Sequence, residues 1–151
     1  MRKYICLWCM MCCCAIMVSA QGNDPVAWEF SSRKIADQRY EVHISALVEY
    51  PWRIYSQHTD EGGPLPTVIA FEDNKAVELQ GVVEEEGSLI EKYEEIFMVD
   101  ARYYQGKVDF VQQVKVDKEI PQDLAGSVTF MACSDAQCLT PQEIRFKVRL
   151  H

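Results

Sequence analysis

A chain of 151 residues with 23 Asp and Glu against 15 Lys and Arg carries a formal charge of −8. That balance excludes the broad basic surface that DNA or RNA binding requires. The length suits one domain with a core of its own, and seven cysteines make the redox compartment the first question.

The N-terminus answers it. Arg2 and Lys3 precede an apolar run over residues 4–18, and Val18, Ser19 and Ala20 place small or modest side chains at cleavage positions. This is the three-part layout of a secretory signal peptide over residues 1–20, with Gln21 as the new N-terminus and residues 21–151 as the mature domain. The run falls short of the ~20 residues a spanning helix needs. No cysteine follows the small residues, where lipid attachment would want one, and no later stretch could span a membrane. Cys6, Cys9, Cys12, Cys13 and Cys14 leave with the leader. Cys133 and Cys138 remain, in a compartment that permits disulfides.

The mature chain reads as strands. Residues 26–30 begin the pattern, and residues 40–48 alternate apolar with polar or small side chains, the period of a half-buried strand. Further runs follow at 52–55, 67–71, 77–79, 82–83, 107–116, 128–132 and 144–150. Turn signals separate them at 62–64, 73–74, 87–88, 105–106 and 121–126. Residues 31–39 and 57–66 read as polar loops, and residues 88–93 as at most one helical turn. The expectation is an all-β, immunoglobulin-like β-sandwich of seven to nine strands, monomeric.

Hydrolytic motifs are missing: the sequence has no Gly-x-Ser-x-Gly elbow and no His-Glu-x-x-His helix. Glu84, Glu85, Glu86, Glu91, Glu94 and Glu95 read as a solvated acidic face. His43, His58 and His151 are scattered singly, so no metal and no cofactor is expected. The chemistry therefore rests on Cys133 and Cys138, with Ser-Asp-Ala-Gln between them. As a staple the pair gains little: closing so short a loop is worth about 2 kcal/mol, against about 4.7 for a 100-residue loop. Two thiolates could also be half of a zinc site, but no histidine stands at ligand spacing. From the residues alone a local structural disulfide and a redox centre both remain open.

Four segments together bear on the choice. They are the Cys133–Cys138 block with Leu139, Thr140 and Pro141; the strand Trp52, Arg53, Ile54, Tyr55, Ser56; the triplet Glu95, Ile96, Phe97 ahead of Tyr104, Gln105 and Gly106; and the strand over 108–116. In order and spacing they resemble the N-terminal periplasmic domain of DsbD, the thiol:disulfide interchange protein. The resemblance covers essentially the whole mature chain.

It implies a periplasmic protein-disulfide reductase or interchange component that passes electrons between thioredoxin-like donors and acceptors through a Cys133–Cys138 dithiol/disulfide couple. It makes Cys138 the attacking thiol and Cys133 the resolving one. Phe97 falls at the position of a cap phenylalanine, with Glu95 beside it, and Tyr55 and Trp52 fall near the redox centre and partner surface. Departures are specific: Arg53 stands where a second tyrosine is familiar, Ile96 replaces an acidic cap residue, and one residue fewer separates the cysteines. With one domain predicted, the donor is expected to be a separate protein. The contrasting expectation is a secreted, non-enzymatic binding or scaffold module with a purely structural disulfide.

Overall fold

The computed structural model describes residues 24–95, 97–117 and 122–151. The expected leader with its five cysteines, Gln21, Ile96 and Pro121 lie outside the described residues. Among the described residues eleven strands form: β1 (Val26–Ala36), β2 (Arg39–Val48), β3 (Arg53–Tyr55), β4 (Val68–Phe71), β5 (Val77–Gly87), β6 (Ile90–Glu94), β7 (Val99–Tyr104), β8 (Gly106–Val116), β9 (Gln122–Phe130), β10 (Ala132–Cys133) and β11 (Gln142–Leu150). All pairings are antiparallel, in sheets ordered β1-β2-β8-β5, β10-β3-β7-β6 and β11-β9-β4. The architecture is all-β and immunoglobulin-like, with no helix among the described residues.

Alternation along the strands places the core. On β2, Tyr40, Val42, Ile44, Ala46 and Val48 point inward, and on β8 Val108, Phe110, Val114 and Val116 do the same. The register sets Ile44 opposite Phe110 and Tyr40 opposite Val114. Leu124, Phe130, Phe146, Val148 and Leu150 of the β11-β9-β4 sheet join this core, as do Ile54, Tyr104 and Ala132 of the β10-β3-β7-β6 sheet. Burying each such large side chain stabilises by about 1.5–3 kcal/mol relative to exposure. Trp28 against Phe130 (ring centroids 5.1 Å apart) and Phe30 against Phe146 (4.8 Å) fasten β1 to the opposite layer.

The strand count exceeds seven to nine because β6 and β7 match no expected run and the 128–132 run divides into β9 and β10; other strands differ in their bounds. Residues 31–36, read as loop, continue β1: this half of the hairpin is largely solvated, so apolar alternation is lost while the ladder to β2 continues. Residues 88–93 lead into strand β6, not a helical turn, and β6 with β7 makes a hairpin. Residues 122–126, part of the turn signal read between Pro121 and Gly126, belong to β9. Gly126 is there for close approach: a Cβ would lie 2.5 Å from the Ala70 carbonyl oxygen and 2.7 Å from Phe146 Cζ. The runs 77–79 and 82–83 are one strand, β5, whose register against β8 slips between Gln80 and Glu84. Gly81 takes φ +71° in that bulge, and Val82 is 77% exposed.

Strand β3 divides the molecule chemically. Successive side chains of a strand point to opposite faces, so Ile54 enters the main core while Arg53 and Tyr55 face the other way. Cross-strand partners share a face, which puts Cys133 (opposite Arg53) and Tyr103 (opposite Tyr55) on that second face.

Candidate functional site

Cys133 ends β10, and the chain turns back through Ser134–Gln137 so that Cys138 lies directly across an antiparallel bridge from it. The turn is closed by Ser134 N–H donating to the Gln137 carbonyl and Leu139 N–H donating to the Ala132 carbonyl, both at 2.8 Å. The Ser134 hydroxyl accepts from the Ala136 and Gln137 amides at 3.3 and 3.2 Å. Opposed residues of such a bridge are close enough to bond through sulfur, and Cys133 and Cys138 form a disulfide with Cα atoms 4.0 Å apart. Its two ends differ sharply. Cys133 is 1% exposed, in a satellite cluster with Tyr55, Ala101 and Tyr103, whereas Cys138 is exposed.

Cys138 also lines a cleft of about 500 Å³ together with Phe97, Met131 and the loop over residues 59–66. One wall is that loop, read from sequence as merely polar. It is held to β7 by Arg102, which donates to the His58 carbonyl at 2.7 Å, while the Arg102 amide donates to the Thr59 hydroxyl at 3.1 Å. The other wall is a tight turn after β6: the Phe97 and Met98 amides both donate to the Glu94 carbonyl, at 3.2 and 2.8 Å. Met98 closes this turn at φ +57°, the left-handed region that favours glycine.

The expected residues sort into two groups. Tyr55 packs in the Cys133 cluster, and Phe97 shares the cleft with Cys138. Glu95 is exposed on the turn beside them. Trp52, in contrast, is half-buried against the main core.

The charged centre of the site is Arg53, which the resemblance marks only as a replacement for a tyrosine. Arg53 is 6% exposed and ties the intercysteine turn to Glu94, Tyr55 and Tyr103. Its Nη1 donates to Asp135 Oδ1 of the intercysteine turn at 2.8 Å, and its Nη2 lies 3.3 Å from Glu94 Oε1. Its Nε reaches the Tyr55 hydroxyl at 3.5 Å, and its Cζ stands 5.1 Å from the Tyr103 ring centroid, a cation–π distance. Burial pulls the guanidinium toward deprotonation, but the bonds to Tyr55 and Asp135 and the charge of Glu94 outweigh it, and the net shift is upward. The bond from Arg53 holds the Asp135 carboxyl below the usual carboxylate range. Burial raises the Tyr55 phenol, which stays neutral.

Glu94 corrects the reading of its neighbourhood as a solvated acidic face. Glu84, Glu86, Glu91 and Glu95 are exposed, but Glu94 is 8% exposed and ion-paired with Arg53. Its even-numbered position on β6 turns it to the same face as Ala101 and Tyr103, a placement visible only once β6 is known to be a strand. Asp135, in the turn between the cysteines, is paired with the same arginine. Among the described residues no group of three or more His, Cys, Asp or Glu side chains converges to hold a metal ion.

No protein-family model matches the chain, and no curated protein sequence matches it. Solved structures do. The reduced DsbD N-terminal domain of Neisseria meningitidis superposes with a TM-score of 0.55 at 15% identity, over 83% of this chain and 85% of that one. The N-terminal periplasmic domain of ScsB from Proteus mirabilis gives 0.51 at 17% identity, over 81% of this chain and 44% of that one. A complex between the DsbD N-terminal and PilB N-terminal domains of N. meningitidis gives 0.50 at 15%, over 81% and 80%. The chain thus has the fold of DsbD N-terminal domains.

Proposed function

We propose that this chain is a periplasmic thiol–disulfide exchange protein that carries electrons between thioredoxin-like partners through the Cys133–Cys138 couple. One observation carries the reading: a disulfide whose ends are unequal, with Cys133 buried and Cys138 exposed in a cleft beside Phe97. Exchange requires a thiolate to approach one sulfur in line with the bond. Burial closes that approach at Cys133, so an incoming thiol meets Cys138. A short local bridge outside the main core has limited structural value, which favours redox use over stapling. The fold agrees, and a neighbour of that fold has been solved in complex with another protein's domain, which favours a protein partner. Export through residues 1–20 belongs to the same proposal.

In the exchange, the partner's thiolate attacks Cys138 Sγ, the disulfide breaks, and its electron pair leaves on Cys133. A second partner thiol then displaces Cys138, so the partner becomes a disulfide and this chain a dithiol. In the reverse direction the reduced Cys138 thiolate attacks the partner's disulfide and Cys133 then displaces the partner's thiolate, so loss of Cys133 should trap the intermediate. Cys133→Ala is expected to accumulate a reductant-sensitive adduct through Cys138 with a thioredoxin-like protein, and Cys138→Ala is not. The couple should equilibrate with glutathione or thioredoxin at a potential above the roughly −300 mV limit of structural bridges. A more negative potential, with no adduct from either variant across a panel of thioredoxin-like proteins, would return the chain to the scaffold reading.

A further inference from the structure

Arg53 has no part in the exchange as described so far, yet it is the buried cation of the face on which Cys133 lies. Residues directly opposed in an antiparallel pair have Cβ atoms about 4.5–5.5 Å apart and side chains on one face, and Arg53 is the direct partner of Cys133. Tyr55 from β3 and Tyr103 from β7 pack with Cys133, and Glu94 from β6 and Asp135 from the turn are paired with Arg53; Lys92 of β6 acts on Asp135. Two carboxylates would oppose a thiolate here, and burial would oppose it further. Both carboxylates are bonded to or paired with Arg53.

We propose that Arg53 is a positioning residue that stabilises Cys133 as a thiolate, making it a good leaving group when the disulfide is attacked at Cys138 and a competent nucleophile when it re-forms. The inference rests on the exchange reading but can be tested without a protein partner. When the S–S bond breaks, negative charge appears on Cys133 Sγ, inside a cluster where water cannot stabilise it. A guanidinium already fixed by Asp135, Glu94 and Tyr55 supplies that stabilisation without rearranging. A leaving thiol of lower pKa departs faster. The same bonds hold the intercysteine turn, through Asp135, to the end of β6 from which the Phe97 turn springs, so the reacting pair and the cleft wall share one anchor.

The reduced protein is mixed with 5,5′-dithiobis(2-nitrobenzoate) and thionitrobenzoate release is followed by stopped flow across pH. The first release marks attack by Cys138. The second marks attack by Cys133 on the resulting mixed disulfide, which restores the chain's own disulfide, and its pH midpoint reports Cys133. Arg53→Met is expected to raise that midpoint by about one unit or more, slowing the second phase about tenfold below it, while Arg53→Lys retains most of the wild-type value. Glu94→Gln and Asp135→Asn should lower it.

An unchanged midpoint in folded Arg53→Met overturns the inference. Should that variant fail to fold, unchanged midpoints in both Glu94→Gln and Asp135→Asn overturn it instead. The two readings fail separately. A shifted midpoint in a chain that exchanges with no thioredoxin-like protein sinks the proposed function alone, and normal exchange with an unshifted midpoint sinks the role of Arg53 alone.

Discussion

Phe97 owes its place to the backbone carbonyl of a residue whose side chain is half of a charged pair. The Glu94 carbonyl binds the Phe97 and Met98 amides while the Glu94 carboxylate meets Arg53, so one residue seats the aromatic ring and touches the network behind Cys133. A ring sharing the cleft with an exposed sulfur is suited to shielding it from small oxidants. Phe97→Ala is therefore expected to keep the fold and to accelerate alkylation of reduced Cys138 by iodoacetamide several-fold. An unchanged rate in the folded variant would leave Phe97 as a packing residue.

At the scale of elements, the Glu85 carboxylate joins β5 to the end of β3. Glu85 Oε2 accepts from the Ser56 and Tyr104 hydroxyls, and Oε1 accepts from the Gln57 amide, all at 2.7 Å. Ser56 and Tyr104 are buried at 1% and 3% exposure, so removing their acceptor strands two buried hydroxyls. Glu85→Ala should cost about 3 kcal/mol in urea unfolding, and Tyr104→Phe about 1 kcal/mol, because the latter removes a donor without orphaning another. Burial, reinforced by the bond to Glu85, raises the Tyr104 phenol above the ordinary tyrosine range. A raised folded-state value means that this contribution is complete at neutral pH and fades as pH climbs from the ordinary tyrosine range through the folded value. Stability should accordingly fall in alkali, less so in Tyr104→Phe.

Across the whole molecule, the disulfide stands apart from the main core, in a cluster on the far face of β3. The double variant Cys133→Ala, Cys138→Ala is expected to unfold cooperatively, with a Tm lowered by about 10 °C or less, as a bridge worth about 2 kcal/mol implies. Calorimetry of the variant and the oxidised parent checks this, and an unfolded variant would argue for the staple. The sandwich was legible where one strand face is apolar, as along β2 and β11, and illegible where a strand is solvated, as in the outer half of β1. The cysteine pair was legible because its spacing is local. Arg53, Glu94 and Asp135 were not: they are far apart in sequence, and ordinary charged residues reveal their pairing only once the β3, β6 and β10 registers are fixed.

The slip between β5 and β8 has a consequence for how copies of the chain meet. β5 is an edge of its sheet, and an edge with free amides and carbonyls is a template for another molecule's strand. Here Gly81 and Val82 bow the edge outward, and exposed Glu84 and Glu86 follow immediately. A second copy approaching this side would meet a broken ladder and a row of like charges. Strand addition is disfavoured at this edge, and under the exchange function proposed above that leaves the exposed Cys138 free of self-association through β5.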